Sequence, residues 1–198
     1  KTTSPNRLYY SSLPSSATPP VIDWTSADSS YIEISPGDGE DITAIKRFAK
    51  TLFVFKNNYT YRVYSINDTE PDPSIFVGTY SQESVVGAKD GVYFHHPSGI
   101  YRIRSGESQP KEISRPIYPL IKNITAANLT EIAGWTDDDH VYHYVGNVTL
   151  DNGLVISNCV IRWTISSEIW TIYSYSTPLI IGTQRNNSNA LSRVVGDN

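Results

Sequence analysis

Leu52-Phe53-Val54-Phe55-Lys56-Asn57-Asn58-Tyr59-Thr60-Tyr61-Arg62-Val63 is the stretch that decides the fold. Aromatic and β-branched residues suit a pleated, half-buried surface, and the polar Lys56-Asn57-Asn58 supplies the turn of a short hairpin. The pattern recurs downstream. Val92-Tyr93-Phe94-His95 is followed by Pro97-Ser98-Gly99 and Tyr101-Arg102-Ile103, and Val141-Tyr142-His143-Tyr144 by Ile161-Arg162-Trp163. The arginine-bearing strand begins 9 residues after its partner in the first two copies and 20 in the third. In that third copy, residues 146–153 alternate apolar and polar positions and hold Asn152-Gly153, which predicts a lengthened hairpin. With Leu8-Tyr9-Tyr10 added, the aliphatic–aromatic starts lie 44, 40 and 49 positions apart.

Each hairpin is flanked by a further candidate strand on either side. Upstream lie Ile42–Ile45, Ser84–Gly87 and Glu131–Trp135, and downstream Ser74–Val77, Lys111–Ser114 and Ile169–Tyr173. Four short antiparallel strands every 40 to 50 residues is the unit size of a propeller blade. The fold expected is therefore all-β and β-propeller-like, with repeated four-stranded antiparallel sheets in about four to five blades, as a ring or an open arc. Residues 1–198 read as a single domain with units at about 41–80, 83–117 and 129–177. A split unit takes 7–36, with strands Leu8–Ser12 and Tyr31–Ser35, plus 179–197, with strands Leu179–Gly182 and Ala190–Val195. Turn residues such as Pro36-Gly37-Asp38-Gly39 separate the units. No long amphipathic helix is expected, and a single helical turn is placed at Leu129–Ala133.

Composition sets limits. With 39% hydrophobic and 18% charged residues the chain has the balance of a globular domain. A net charge of −4 offers no broad positive field for phosphate backbones, so nucleic-acid binding is not expected. The single cysteine, Cys159, sits in an apolar run and reads as a core residue rather than a disulfide or metal ligand. No stretch approaches the roughly 18 apolar residues of a membrane span, so no membrane insertion is expected. The chain contains no methionine, even at position 1, which suggests a processed segment of a longer protein.

His95, His96, His140 and His143, with Asp137-Asp138-Asp139, invite a metal site. Adjacent strand residues face opposite sides, however, so His95 and His96 cannot share one ion, and the aspartates fall where a turn is expected. Gly37-Asp38-Gly39-Glu40-Asp41 lacks the ligand spacing of an EF-hand and reads as a solvated turn. Arg62, Arg102 and Arg162 compare with the converging arginines of sialidase-type propellers, but their common strand position favours snorkelling over aromatics or surface pairing. No nucleophile elbow, phosphate loop or zincin motif occurs. The expectation is a non-enzyme with no catalytic, cofactor-binding or metal residues and no cofactor. The Asn-x-Ser/Thr triplets at Asn58, Asn67, Asn123, Asn128, Asn147 and Asn186 read as accidents of a polar β sequence.

Asn6-Arg7-Leu8-Tyr9-Tyr10-Ser11-Ser12, Trp24 near Ala27-Asp28, Tyr31-Ile32-Glu33-Ile34, Gly37-Asp38-Gly39-Glu40-Asp41-Ile42-Thr43-Ala44 and Thr51-Leu52-Phe53-Val54-Phe55-Lys56 together resemble structural proteins of tailed bacteriophages. In those proteins an NRLYYS strand precedes a GDGDxITAL stretch and a LLVFK strand. The likeness covers roughly residues 6–104, and it is to the β-propeller portion of tail nozzle, hub or head-completion (neck) proteins. It implies a virion structural protein without enzymatic activity that gives rigid surfaces for contact with other tail or neck proteins. It also implies homo-oligomeric rings in the full-length protein. Such proteins are several times longer than this chain. The rival reading is a secreted or displayed propeller that binds a glycan or receptor through Trp24, Trp135, Trp163 and Trp170.

Overall fold

The structure is a computed structural model that describes residues 5–11, 30–65, 72–185 and 191–197. Its elements are almost entirely strands, arranged in antiparallel sheets, so the chain is all-β. Three sheets are four-stranded meanders, each strand pairing with the next in sequence. Sheet I is β3 (Ala44–Phe48), β4 (Thr51–Phe55), β5 (Thr60–Val63) and β6 (Asp72–Ile75). Sheet II is β7 (Val86–Gly87), β8 (Gly91–His96), β9 (Gly99–Arg104) and β10 (Lys111–Glu112). Sheet III is β11 (Ala133–Thr136), β12 (His140–Thr149), β13 (Val155–Thr164) and β14 (Ile169–Tyr173). A leading pair, β1 (Arg7–Tyr10) with β2 (Ser30–Glu33), and a trailing pair, β15 (Leu179–Arg185) with β16 (Leu191–Asp197), are two-stranded.

Register explains the sequence pattern. Phe53 stands opposite Arg62, Tyr93 opposite Arg102 and Tyr142 opposite Arg162. The repeated arginine thus faces the aromatic residue of the preceding strand in each of the four-stranded sheets. The longer spacing in sheet III is a longer ladder, with register shifts at Tyr144/Gly146 and Gly146/Val148. Gly146 adopts φ +72°, the left-handed conformation that glycine reaches without steric cost. Asn128 bridges the bulge by donating to the carbonyls of Val145 (3.0 Å) and Asn147 (3.1 Å).

Strands this apolar are buried on both faces, and period-two alternation divides them between separate cores. Val54 turns with Tyr61 and Val63 towards Ile32 and Ile34 of the leading pair. Its neighbours Phe53 and Phe55 turn the other way, towards Val92, Phe94 and Ile103 of sheet II. Tyr93 and Ile100 in turn meet Val141, Ile161 and Trp163 of sheet III. Each core therefore lies between consecutive sheets. The close approach of sheets II and III needs Gly134, where a Cβ would lie 2.3 Å from Val86 Cγ2.

Several expected boundaries move. The strand expected at Ser84–Gly87 shortens to Val86–Gly87, with Ser84 ending a 3₁₀ turn (Gln82–Ser84), and the one expected at Lys111–Ser114 ends at Glu112. Between sheets II and III the chain makes a 3₁₀ turn (Arg115–Ile117), then α1 (Tyr118–Ile121) and α2 (Ala126–Leu129). The helical turn thus precedes the expected Leu129–Ala133. Thr125 caps α2 by accepting from Asn128 N at 3.4 Å. Helices of four residues are too short to leave a periodic signature.

Candidate functional site

The repeated arginines were the strongest candidates for a convergent site, and the structure places them in three different sheets with separate partners. Arg62 Nη2 donates to the carbonyls of Glu107 and Ser108, both at 2.7 Å. Those residues lie in the connection from β9 to β10, so the arginine reaches forward into the next sheet. Arg102 repeats the move. Its guanidinium lies 3.6 Å from Glu168, in the connection from β13 to β14, and 3.8 Å from Asp90. Against the expectation of surface pairing, Arg102 is only 2% exposed, because sheet III covers it. Arg162 instead folds back on its own sheet, donating to Thr171 Oγ1 at 3.1 Å and lying 5.3 Å from the Tyr173 ring centroid.

Around Arg62 a cleft of about 310 Å³ opens between sheet I and the β9–β10 connection. Phe48, Phe53 and Tyr64 supply apolar wall, and Arg104 and Glu107 polar groups. The cations there are already engaged: Arg62 by two carbonyls, and Arg104 Nε by Asp90 at 3.2 Å. The Arg62 contacts tie β5 to the β9–β10 connection across this cleft.

The histidines separate as strand alternation requires. His95 points into the interface between sheets II and III, where His143 also lies, and both are buried. Burial pushes His95 down to about 3, helped by the neighbouring imidazoles, and His143 down to about 4 despite its contact with the Ser84 carbonyl at 3.0 Å. His96 faces the other way, with Nδ1 2.6 Å from Ser98 Oγ and its ring beside Tyr101. Among the described residues its Nε2 has no hydrogen-bond partner, and the Ser98 backbone N–H donates to Nδ1 at 3.2 Å, closing the turn. Asp137 closes its own turn, accepting from the backbone of Asp139 and His140, from His140 Nδ1 and from Tyr142 Oη. Among the described residues no group of three or more His, Cys, Asp or Glu side chains comes together.

Trp163 is buried in the core, and Trp170 packs against it with ring centroids 4.7 Å apart, its indole N–H donating to Ile113 O. Trp135 is half-buried and stacks on Tyr142 at 4.9 Å with the rings 1° from parallel. Trp24 lies outside the described residues, as do Asn67 and Asn186. The amides of Asn58, Asn123 and Asn128 donate inside the fold, to Glu40, to Pro119 O with Asp151, and to the β12 bulge. Cys159 is buried, as its apolar run predicted.

One arrangement escaped the sequence reading. Lys56 is fully buried at the end of β4, and its ammonium donates to both carboxylate oxygens of Asp38 (2.8 and 2.7 Å) and to Ser35 O (3.1 Å). The 37–41 turn is therefore not simply solvated, because Asp38 is an internal counter-ion. Desolvation would raise the Asp38 carboxyl, but the Lys56 ammonium and the Glu40 N–H outweigh it and hold it below the usual range. The available signal was a lysine ending a fully apolar strand.

Set beside known proteins, the chain matches no family model, and no curated protein matches it. The fold and these contacts define a class only: an all-β protein of consecutively packed antiparallel sheets.

Proposed function

We propose that the chain is a non-enzymatic virion structural module, a β-propeller-like stack from a tail or neck component of a tailed bacteriophage. It gives rigid surfaces to other tail or neck proteins and, in the full-length protein, to copies of itself. The observation that carries the reading is the joining of its two most distinctive motif segments. Gly37–Ala44 and Thr51–Lys56, which resemble the phage proteins, meet in the buried Lys56–Asp38 pair. Their polar residues serve the assembly of sheets rather than a reacting group. The pair ties the two segments to one arrangement, since separating them would leave the buried Lys56 ammonium without a counter-charge. The stacking of each core between neighbouring sheets is how propeller blades bury their faces.

Mass spectrometry of purified particles of the virus that encodes the chain, with an antibody to this segment in electron microscopy, tests the proposal. Stoichiometric presence at the tail or neck is expected, and absence from intact particles overturns it.

A further inference from the structure

Sheet III ends in an outer strand unlike those of sheets I and II. β6 carries Asp72-Pro73 and meets β5 through a register shift at Thr60/Arg62, and β10 is two charged residues, Lys111-Glu112. Charge, proline, irregular pairing and short length are the devices that stop an open sheet edge from pairing with another chain. β14 has none of them. It runs five residues, Ile169-Trp170-Thr171-Ile172-Tyr173, without a charge or a proline, and among the described residues no strand pairs with its far side. Ile169 is 58% exposed, Ile172 41% and the following Tyr175 39%.

The ladder fixes which backbone groups of β14 are open. Ile165 N–H donates to Asp139 O at 2.7 Å, so Ile161 and Trp163 turn their backbone groups to β12, and Val160, Arg162 and Thr164 turn theirs to β14. The partners Tyr173, Thr171 and Ile169 therefore point inward, a phase that Tyr175 continues by donating to Ser157 O at 3.0 Å. The N–H and C=O of Trp170 and Ile172 point outward. These two residues flank Thr171, which makes the edge complementary to itself. In an antiparallel pair of two β14 strands centred on Thr171, Trp170 of one copy and Ile172 of the other exchange both hydrogen bonds, and symmetry repeats the exchange. The same register sets Thr171 against Thr171, Ile169 against Tyr173 and Trp170 against Ile172. Thr–Thr and aromatic–β-branched pairs are favourable cross-strand combinations. Glu168, the charge that adjoins the strand, comes opposite Ser174, so no like charges meet along it.

We infer that a second copy of this chain occupies the edge. Two copies join about a twofold axis by antiparallel pairing of β14 with β14, which makes one eight-stranded sheet of two four-stranded sheets III. One short strand edge lies at the small end of interface sizes, so the dimer is reversible. The inference concerns a surface that the propeller-like reading leaves open, and its failure leaves that reading untouched.

Sedimentation equilibrium and amide hydrogen exchange on the full chain, from about 1 μM to about 1 mM, test it. A monomer–dimer equilibrium is expected, with exchange at Trp170 and Ile172 slowing at least about tenfold as the dimer fills. Ile172→Lys puts a charge on the edge and is expected to weaken association at least about tenfold while β4 and β8 stay protected. Ile172→Pro removes an N–H that points outward and should weaken association likewise, which keeps the test open where the lysine disturbs sheet III. A chain that stays monomeric throughout, with fast exchange at Trp170 and Ile172, overturns the inference and leaves the edge to a different chain. Protection of these two amides in the monomer shows a segment of the same chain on the edge and also overturns it. A dimer that survives both substitutions is joined elsewhere, and overturns it too.

Discussion

Asn in place of Asp38 would leave a buried ammonium with a carbonyl but no counter-charge. Removing one member of a buried pair costs far more than the pair contributes, so Asp38→Asn is expected to destabilise by about 3 kcal/mol in urea unfolding. Lys56→Met should cost less, because Asp38 keeps partial access to water and methionine is an unbranched apolar side chain suited to the buried position. Equal losses would contradict the asymmetry. The buried imidazoles give a pH dependence of definite sign. His95 and His143 titrate near 3 and 4 in the folded chain against about 6.5 when unfolded. The unfolded state therefore binds more protons between those values. Stability is full above pH 6.5 and falls on acidification towards pH 4, by up to about 1.4 kcal/mol per pH unit for each proton. Thermal melts across that range should show the slope, and His143→Gln should reduce it. At this scale the sequence revealed the residue types but not their partners: Asp38 and Lys56 are 18 residues apart, and nothing local in either segment says they meet.

Between elements, the contact of β7 with β11 depends on a missing side chain. A Val at Gly134 would drive Cβ into Val86 Cγ2, and overpacking of this kind costs about 1–3 kcal/mol. Val86→Ala should recover part of the loss in a double-mutant cycle, and strict additivity would show that the strands do not meet there. Arg102→Ala removes the link from sheet II to the β13–β14 connection and is expected to destabilise by about 2–3 kcal/mol, read as a lower denaturation midpoint. Strands and hairpins were legible because alternation and turn residues act locally; Phe53–Arg62 and Tyr93–Arg102 fell in register as their common 9-residue offset required. α1 and α2 were not, since a four-residue helix is held by packing of Leu120 and Ile121 rather than by periodicity.

At the level of the molecule, cores shared between neighbours couple the sheets. Phe94 contributes to the core between sheets I and II, so Phe94→Ala is expected to cost about 3–5 kcal/mol and to speed hydrogen exchange in both sheets. A loss confined to sheet II would contradict the sharing. The all-β class and the order of strands in the three repeated units were readable from the sequence, because backbone pleating and turn chemistry act over a few residues. The tertiary structure alone decided which face each strand residue serves, that Arg62 and Arg102 bind the following sheet instead of converging, and that Lys56 finds Asp38. Those outcomes depend on how separate sheets stack, and stacking is set by the sum of many non-directional contacts that no short window of sequence contains.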